Sequence, residues 1–199
     1  MGGKSPIYEV TPRAPGVPNQ LSAFRSEIGE RKMMLDIIKS RRSVRHFLKT
    51  PIPSEVLSSL LEAARWAPSG GNNQPWLFVV VREQTNIQKI KMFSPGLPGD
   101  PTALLVLCSD PSAGETTAIM DISMAAQNVM LTATETGLGS CVIRSFNQKA
   151  LQSLLNLPSH VMPELVISLG YPAKPARIPG RRPIEDLVHW EEYGGRSSE

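Results

Sequence analysis

Apolar residues fall into alternating groups of helix period and strand length along this chain. Residues 54–66 are the clearest helix. Val56, Leu57, Leu60, Leu61 and Ala64 recur at three- and four-residue intervals, the spacing of one helix face. Ser54, after Pro51, Ile52 and Pro53, is the candidate N-cap. Pro68 is expected to end this helix, because the residue before a proline is pushed out of the α region. The same period marks residues 30–40 through Met34, Ile37 and Ile38, and residues 82–93 through Ile87 and Ile90. Residues 147–156 form a further helix. Strands read differently: residues 76–81, 103–107, 140–143 and 164–170 are apolar runs of strand length.

Residues 118–136 are unlike the other helices. From Ile122 to Thr134 no side chain is charged, and Ala125, Ala126, Val129, Met130 and Ala133 put small or apolar groups on both faces. A helix that is hydrophobic all round is buried on all sides. Either one domain buries it alone, or it packs against its own copy across a two-fold axis. Gly137 is placed to stop it.

Proline marks the ends of the folded part. Residues 1–29, with Pro6, Pro12, Pro15 and Pro18, read as an extended N-terminal arm. Residues 30–190 form one domain that includes a tail spaced by Pro172, Pro175, Pro179 and Pro183, and residues 191–199 form a terminal segment. Composition then narrows the class. A chain of 199 residues, 41% hydrophobic and 20% charged, fits a single soluble globular domain with a substantial core. A net charge of +3 is compatible with anionic ligands but is no nucleic-acid signature. Cys108 and Cys141 both lie in apolar segments, so reduced thiols in a cytoplasmic protein are expected rather than a disulfide framework. No apolar run reaches the roughly 18 residues of a membrane span. The first residues lack a signal-peptide core, and Pro6 breaks the myristoylation pattern after Met1 and Gly2. His46, His160 and His189 have no metal-ligand spacing, and no metal site is expected. Neither a Walker loop, a Gly-x-Ser-x-Gly elbow nor a Gly-x-Gly-x-x-Gly turn is present.

Two stretches carry candidate chemistry. The loop Ala67-Pro68-Ser69-Gly70-Gly71-Asn72-Asn73-Gln74-Pro75-Trp76 joins a helix to a strand. Gly70 and Gly71 let the backbone turn and are expected to leave main-chain N–H groups accessible. Asn72, Asn73 and Gln74 add three side-chain amides, each with donors and an acceptor. Such a loop suits the edge of a flat heterocycle; equally, its amides could cap their own backbone. The second stretch is Arg41-Arg42-Ser43-Val44-Arg45, three arginines in five residues. The planar guanidinium fork suits phosphate, although a short basic run is also an ordinary solvated patch.

Read together, these motifs resemble the nitroreductase family of FMN-dependent NAD(P)H oxidoreductases. The arginine cluster follows a first helix, the amide loop comes about one helix later, Gly137-Leu138-Gly139-Ser140-Cys141 follows the long helix, and Gly180-Arg181-Arg182-Pro183 lies near the end. The resemblance covers about residues 32–190. It implies an α+β fold with a central mixed sheet flanked by helices, and an intertwined homodimer with a swapped C-terminal tail and FMN at the interface. It implies that Arg41, Arg42, Ser43 and Arg45 hold the phosphate, ribityl chain and pyrimidine edge. Pro68, Ser69, Gly70, Asn72 and Gln74 would reach the same flavin from the other subunit. The backbone at Val142, Ile143 and Arg144 would approach N5 and O4, and Arg181 and Arg182 would join the phosphate site. NADH or NADPH would reduce the flavin at N5, and a nitroaromatic, quinone or similar electron-poor acceptor would reoxidise it in a ping-pong cycle. No side chain is required as an acid or base. Dehalogenation, flavin consumption, and flavin storage or sensing with little turnover are the other activities the resemblance leaves open. Many relatives carry a flavin-covering insertion where this chain has only residues 110–117, which implies an open site or one closed by another segment such as the N-terminal arm. The loop at 94–101 carries one charge, Asp100, where relatives often place polar or basic groups over the flavin.

Overall fold

The computed structural model describes residues 34–113 and 117–196. The expected arm over residues 1–29 and the first residues of the 30–40 helix lie outside the described residues. Five helices are described: α1 (Met34–Ser40), α2 (Ser54–Arg65), α3 (Gln84–Met92), α4 (Ala118–Glu135) and α5 (Gln148–Leu154). Four strands alternate with them: β1 (Trp76–Val81), β2 (Ala103–Ser109), β3 (Gly139–Ile143) and β4 (Met162–Gly170). The strands form one sheet in the order β1-β2-β4-β3, with antiparallel neighbours throughout. A parallel bridge from Ser43 to Ser140 extends the sheet beyond β3. The α+β class and a central sheet flanked by helices are as expected, but the sheet was expected to be mixed and its four strands are all antiparallel, with only the isolated Ser43–Ser140 bridge parallel.

Both faces of the sheet are covered, which is why β2 reads as a continuous apolar run rather than an alternating one. Leu105 and Leu107 of β2 and Ile167 and Leu169 of β4 turn to one face, where they pack with Leu57, Leu60 and Ala64 of α2 and Ile122, Ala125, Ala126 and Val129 of α4. Leu104, Val106 and Cys108 turn to the other face with Val166, Ile87 and Ile90 of α3 and Leu151 of α5. Each face has its own core because successive strand residues point to opposite sides. Asn128 ties the two helices of the first face together, donating from Nδ2 to the Ala63 carbonyl at 3.0 Å.

Several local expectations change. Pro53, not Ser54, is the N-cap of α2. The Ser54 hydroxyl is taken by Arg82, which donates to it at 3.2 Å and to the Ile52 carbonyl at 3.1 Å. Arg82 is therefore a strut between segments, and α3 starts at Gln84. The α2 helix stops at Arg65, with Trp66 as C-cap, before Pro68 is reached. Gly137 does end α4: at φ 78° it lets Leu138 donate back to Ala133 and Gly137 to Thr134, a Schellman closure.

The largest difference concerns α4. One face is buried, yet Ile119, Met120 and Met124 are exposed. Met34, Leu35 and Ile38 of the neighbouring α1 are exposed as well. A single chain therefore does not bury this helix all round. Beyond Ala173, whose N–H donates to His46, the tail also lacks a core: Ile178, Ile184, Leu187, Trp190 and Tyr193 are all exposed.

The first core predicts its own sensitivity. Ile122 is fully buried at the α4–sheet contact. Ile122→Ala should lower unfolding free energy by about 2–5 kcal/mol, read by urea denaturation at fixed protein concentration. A loss well under about 1 kcal/mol, the scale of an ordinary surface substitution, would show that this face is not the packed core described.

Candidate functional site

Two structures frame the candidate site, and they sit at opposite ends of α4. The first is the arginine segment. It leaves α1 with Arg41 donating its N–H to Ile37, then runs alongside β3, where Val44 donates to the Ser140 carbonyl at 2.9 Å. Gly139 makes this approach feasible, since a Cβ there would meet the Val44 side chain at 2.6 Å. A cavity of about 460 Å³ opens against the segment, lined by Arg41, Arg42, Ser43, Arg45, Arg177, Pro179 and Gly180. Four of these residues are arginines, and no acidic residue is among the described ones that line it. Arg42 turns Nη1 to the carbonyls of Lys39 and Arg41, while its buried Nε has no partner. The Ser140 hydroxyl, on the strand that Ser43 bridges, is also buried and unpartnered. Unpaired buried donors are costly and mark places where an acceptor belongs.

The second structure is the amide loop. Glu62 holds the turn into it, accepting from Arg65 at 2.6 and 2.9 Å and from Trp66 Nε1 at 2.6 Å. Those bonds, Arg65 first and then Trp66, bring the Glu62 carboxyl down to about 2. The loop itself is a short 3₁₀ turn over Gly70–Asn72 with positive φ at Gly71, Asn72 and Gln74. Its main chain is largely self-satisfied. Asn72 donates to Ser69 O, Asn73 to Gly70 O and Gln74 to the Ser69 hydroxyl. Gly70 N–H, expected to be accessible, instead donates to Asp121 Oδ1 at 3.3 Å. The side chains of Asn72, Asn73 and Gln74 remain exposed, with Gln74 Nε2 bonded to Asn72 O. The self-capping reading thus describes the backbone, and the outward amides are the groups left for a ligand.

The sheet register measures how far apart these structures are. The loop enters β1 at Trp76, which pairs with Ser109, and Ser109 pairs with Met162 at the start of β4. The arginine segment meets β3 at Ser140, which pairs with Leu169 near the end of β4. Seven residues of β4 are about 23 Å, and three strand spacings add about 14 Å across the sheet. The two structures therefore occupy diagonal corners, and Asp121 and Ser140 repeat that separation along α4.

The remaining expected residues divide. Val142 is exposed on β3, Ile143 is buried in the second core and offers only its main chain, and Arg144 is exposed beyond the strand. Arg144 lies 4.0 Å from Glu164, whose Oε1 accepts from Ser109. Arg181 and Arg182 do not line the cavity: Arg181 donates to Gly180 O, and Arg182 donates to Asp186 O within the tail. Arg177, a few residues earlier in the same proline-spaced segment, lines it instead. Basic charge in the tail was readable; which arginine turns inward depends on the path of the chain after Pro172. Asp100 is engaged by Lys91 at 3.0 Å, and that hydrogen bond holds its carboxyl below the ordinary value. The described residues contain no group of three or more side chains able to hold a metal, and no helix among them is long and apolar enough to cross a membrane.

The family model for the nitroreductase family matches residues 38–94 and 91–171, a span that includes both structures. The chain belongs to the nitroreductase family. A protein of Methanothermobacter thermautotrophicus whose name pairs NADH dehydrogenase with NAD(P)H nitroreductase is 32% identical over 170 residues, covering 80% of this chain and 87% of that one. Among solved structures, a protein from Parabacteroides distasonis with the same pair of names superposes with a TM-score of 0.76 at 26% identity, over 81% of this chain and 99% of its own. An FMN-dependent nitroreductase from Clostridium difficile gives a TM-score of 0.73 at 26% identity, over 79% of this chain and 99% of its own. The match of the family model ends at 171, so the part of the tail that carries Arg177 lies beyond it.

The cysteines take no part in this site. Cys108 and Cys141 are both buried, and burial, followed by the charge of Glu164, pushes the Cys108 thiol up to about 12. A thiol is nucleophilic only as thiolate. Iodoacetamide at pH 8 should therefore leave both unlabelled in the native protein and label both after denaturation, read by intact mass. Fast native labelling would show that the second core or β3 is open.

Proposed function

We propose that the chain is an FMN-dependent oxidoreductase that takes electrons from NADH or NADPH and gives them to an electron-poor acceptor such as a nitroaromatic or a quinone. The observation that carries this reading is the cavity at 41–45, which four arginines line and where, among the described residues, no acidic side chain lines it and the buried Arg42 Nε lacks an acceptor. A phosphate supplies the acceptor and the negative charge together. When bound, the flavin supplies the hydride chemistry at its N5.

The chain's own residues bind, orient and tune. Arg41, Arg42, Ser43 and Arg177 hold the phosphate end. Arg45 lies toward the pyrimidine edge, where a cation favours the negative charge of the reduced ring. The outward amides of Asn72 and Gln74, with Pro68, Ser69 and Gly70, contact the ring, and the main chain of Val142, Ile143 and Arg144 lines its other side. Arg181 and Arg182 stay in the tail as further charge for the phosphate end.

This arrangement needs two chains. Arg45 and the amide loop must meet at the same ring, yet within one chain they stand at diagonal corners of the sheet. A two-fold axis across α4 removes the conflict, because antiparallel packing sets the start of one helix beside the end of its copy. The exposed Met120 and Met124, the exposed α1 residues and the uncovered tail are the surfaces such a homodimer buries.

Purified protein should therefore bind FMN and oxidise NADH or NADPH when a quinone is supplied. Protein that neither carries nor takes up FMN would overturn the reading. Arg41→Ala should weaken FMN by about ten- to a hundredfold and riboflavin far less, because a charge-assisted bond is worth about 1.5–3 kcal/mol. Equal losses in a fluorescence titration would place Arg41 away from the phosphate.

Association is tested separately. Sedimentation at micromolar concentration should give a dimer whose thermal stability rises with FMN, since a ligand held only by the dimer stabilises it by mass action. Truncation after Lys174 keeps the Ala173–His46 bond and removes the uncovered tail. It should weaken both dimer and flavin binding; a monomer that keeps its flavin would contradict the two-chain site.

A further inference from the structure

Asp121 is a buried carboxylate that has no part in the flavin contacts proposed so far. It is 4% exposed and is the one ionisable side chain among the buried polar residues described. Its neighbours on the same face of α4, Ile122 and Ala125, are apolar and fully buried. Burying a carboxylate there is costly unless its oxygens are engaged. Both are: Oδ1 accepts from Gly70 N–H at 3.3 Å, and Oδ2 accepts from the Thr117 hydroxyl at 2.9 Å. Among the described residues, the Gly70 bond is the only hydrogen bond that ties residues 69–74 to another element. Thr117 also sits against Gly70, where a Cβ would meet its Oγ1 at 2.8 Å.

The loop needs such an anchor. Asn72 and Gln74 have φ of 57° and 50°, a left-handed conformation that side chains other than glycine adopt at a cost. Such conformations persist where the surroundings over-determine them. The loop's internal bonds set its shape, the Asp110 N–H holds its end by donating to Pro75 O at 2.8 Å, and the Asp121 bond ties the Gly70 turn itself to α4. We propose that Asp121 is a positioning residue for the flavin, fixing the amide loop through the Gly70 peptide and placing a negative charge behind it. This rests on the FMN reading of the site. The charge opposes the negative charge of reduced flavin, so it lowers the flavin potential while Arg45 raises it.

The first arm needs no flavin. In the flavin-free protein, hydrogen exchange at Gly70 should be slow in the wild type and in Asp121→Asn, whose side-chain oxygen still accepts, and fast in Asp121→Ala. The second arm uses bound flavin. Asp121→Ala should weaken FMN and riboflavin by the same factor, about ten- to a hundredfold, because the loop meets the ring and not the phosphate. Asp121→Asn should keep both affinities and shift the flavin midpoint potential to a more positive value. Unchanged Gly70 exchange in Asp121→Ala, a loss confined to FMN, or an unchanged potential in Asp121→Asn would overturn the proposal. Should Asp121→Ala fail to fold, the potential of Asp121→Asn decides it. A wild type that binds neither flavin would end the FMN reading, and the exchange arm would still report whether Asp121 holds the loop.

Discussion

The eighteen residues of α4 act as a spacer. A helix rises about 1.5 Å per residue, so the turn that carries Asp121 and the end that leads into Ser140 are held about 20 Å apart. Packing against the sheet and α2 makes that distance rigid. Each half of the site is attached to one end: the amide loop through Gly70 and Asp121, the arginine segment through Val44 and Ser140. Neither half can move toward the other without breaking the first core, and under the proposed reading this is why the site is built from two chains.

The surface that one chain leaves unfinished has the same origin. A sheet covered on both faces uses α2, α3, α5 and one side of α4 to do so. The other side of α4 leaves Ile119, Met120 and Met124 exposed, beside Met34, Leu35 and Ile38 of α1. Four arginines line one cavity, and like charges brought close together repel. Under the proposed reading, anion binding and association relieve both difficulties together. The exposed tail residues then belong to the surface of a pair, and their lack of a core within one chain ceases to be anomalous.

Under the proposed reading the chemistry belongs to the flavin. The described residues hold no group able to bind a metal, and the cysteines are packed away in or beside the cores. What the chain contributes is position and charge. Under the proposed reading, a cation at one edge of the ring and a buried carboxylate behind the loop act in opposite directions on the same reduced state.

Local order was legible in the sequence. The period-3.6 pattern of residues 54–64, the uninterrupted run at 76–81 and the closing Gly137 act through neighbours a few residues away, so they could be read directly. The family could be read too, because the resemblance rested on the residue types and order of the arginine cluster and the amide loop, which the sequence displays directly. Errors came where distant groups compete for the same atoms. Arg82 claims the Ser54 hydroxyl from across 28 residues, and Asp121 claims the Gly70 N–H from across 51. Arg177 rather than Arg181 or Arg182 turns to the cavity because the Phe47–Pro172 bridge and the prolines after it set the tail's path. Composition and spacing determined which elements form and which groups could bind; only the packing of α4 across the sheet decided which of those groups share a space.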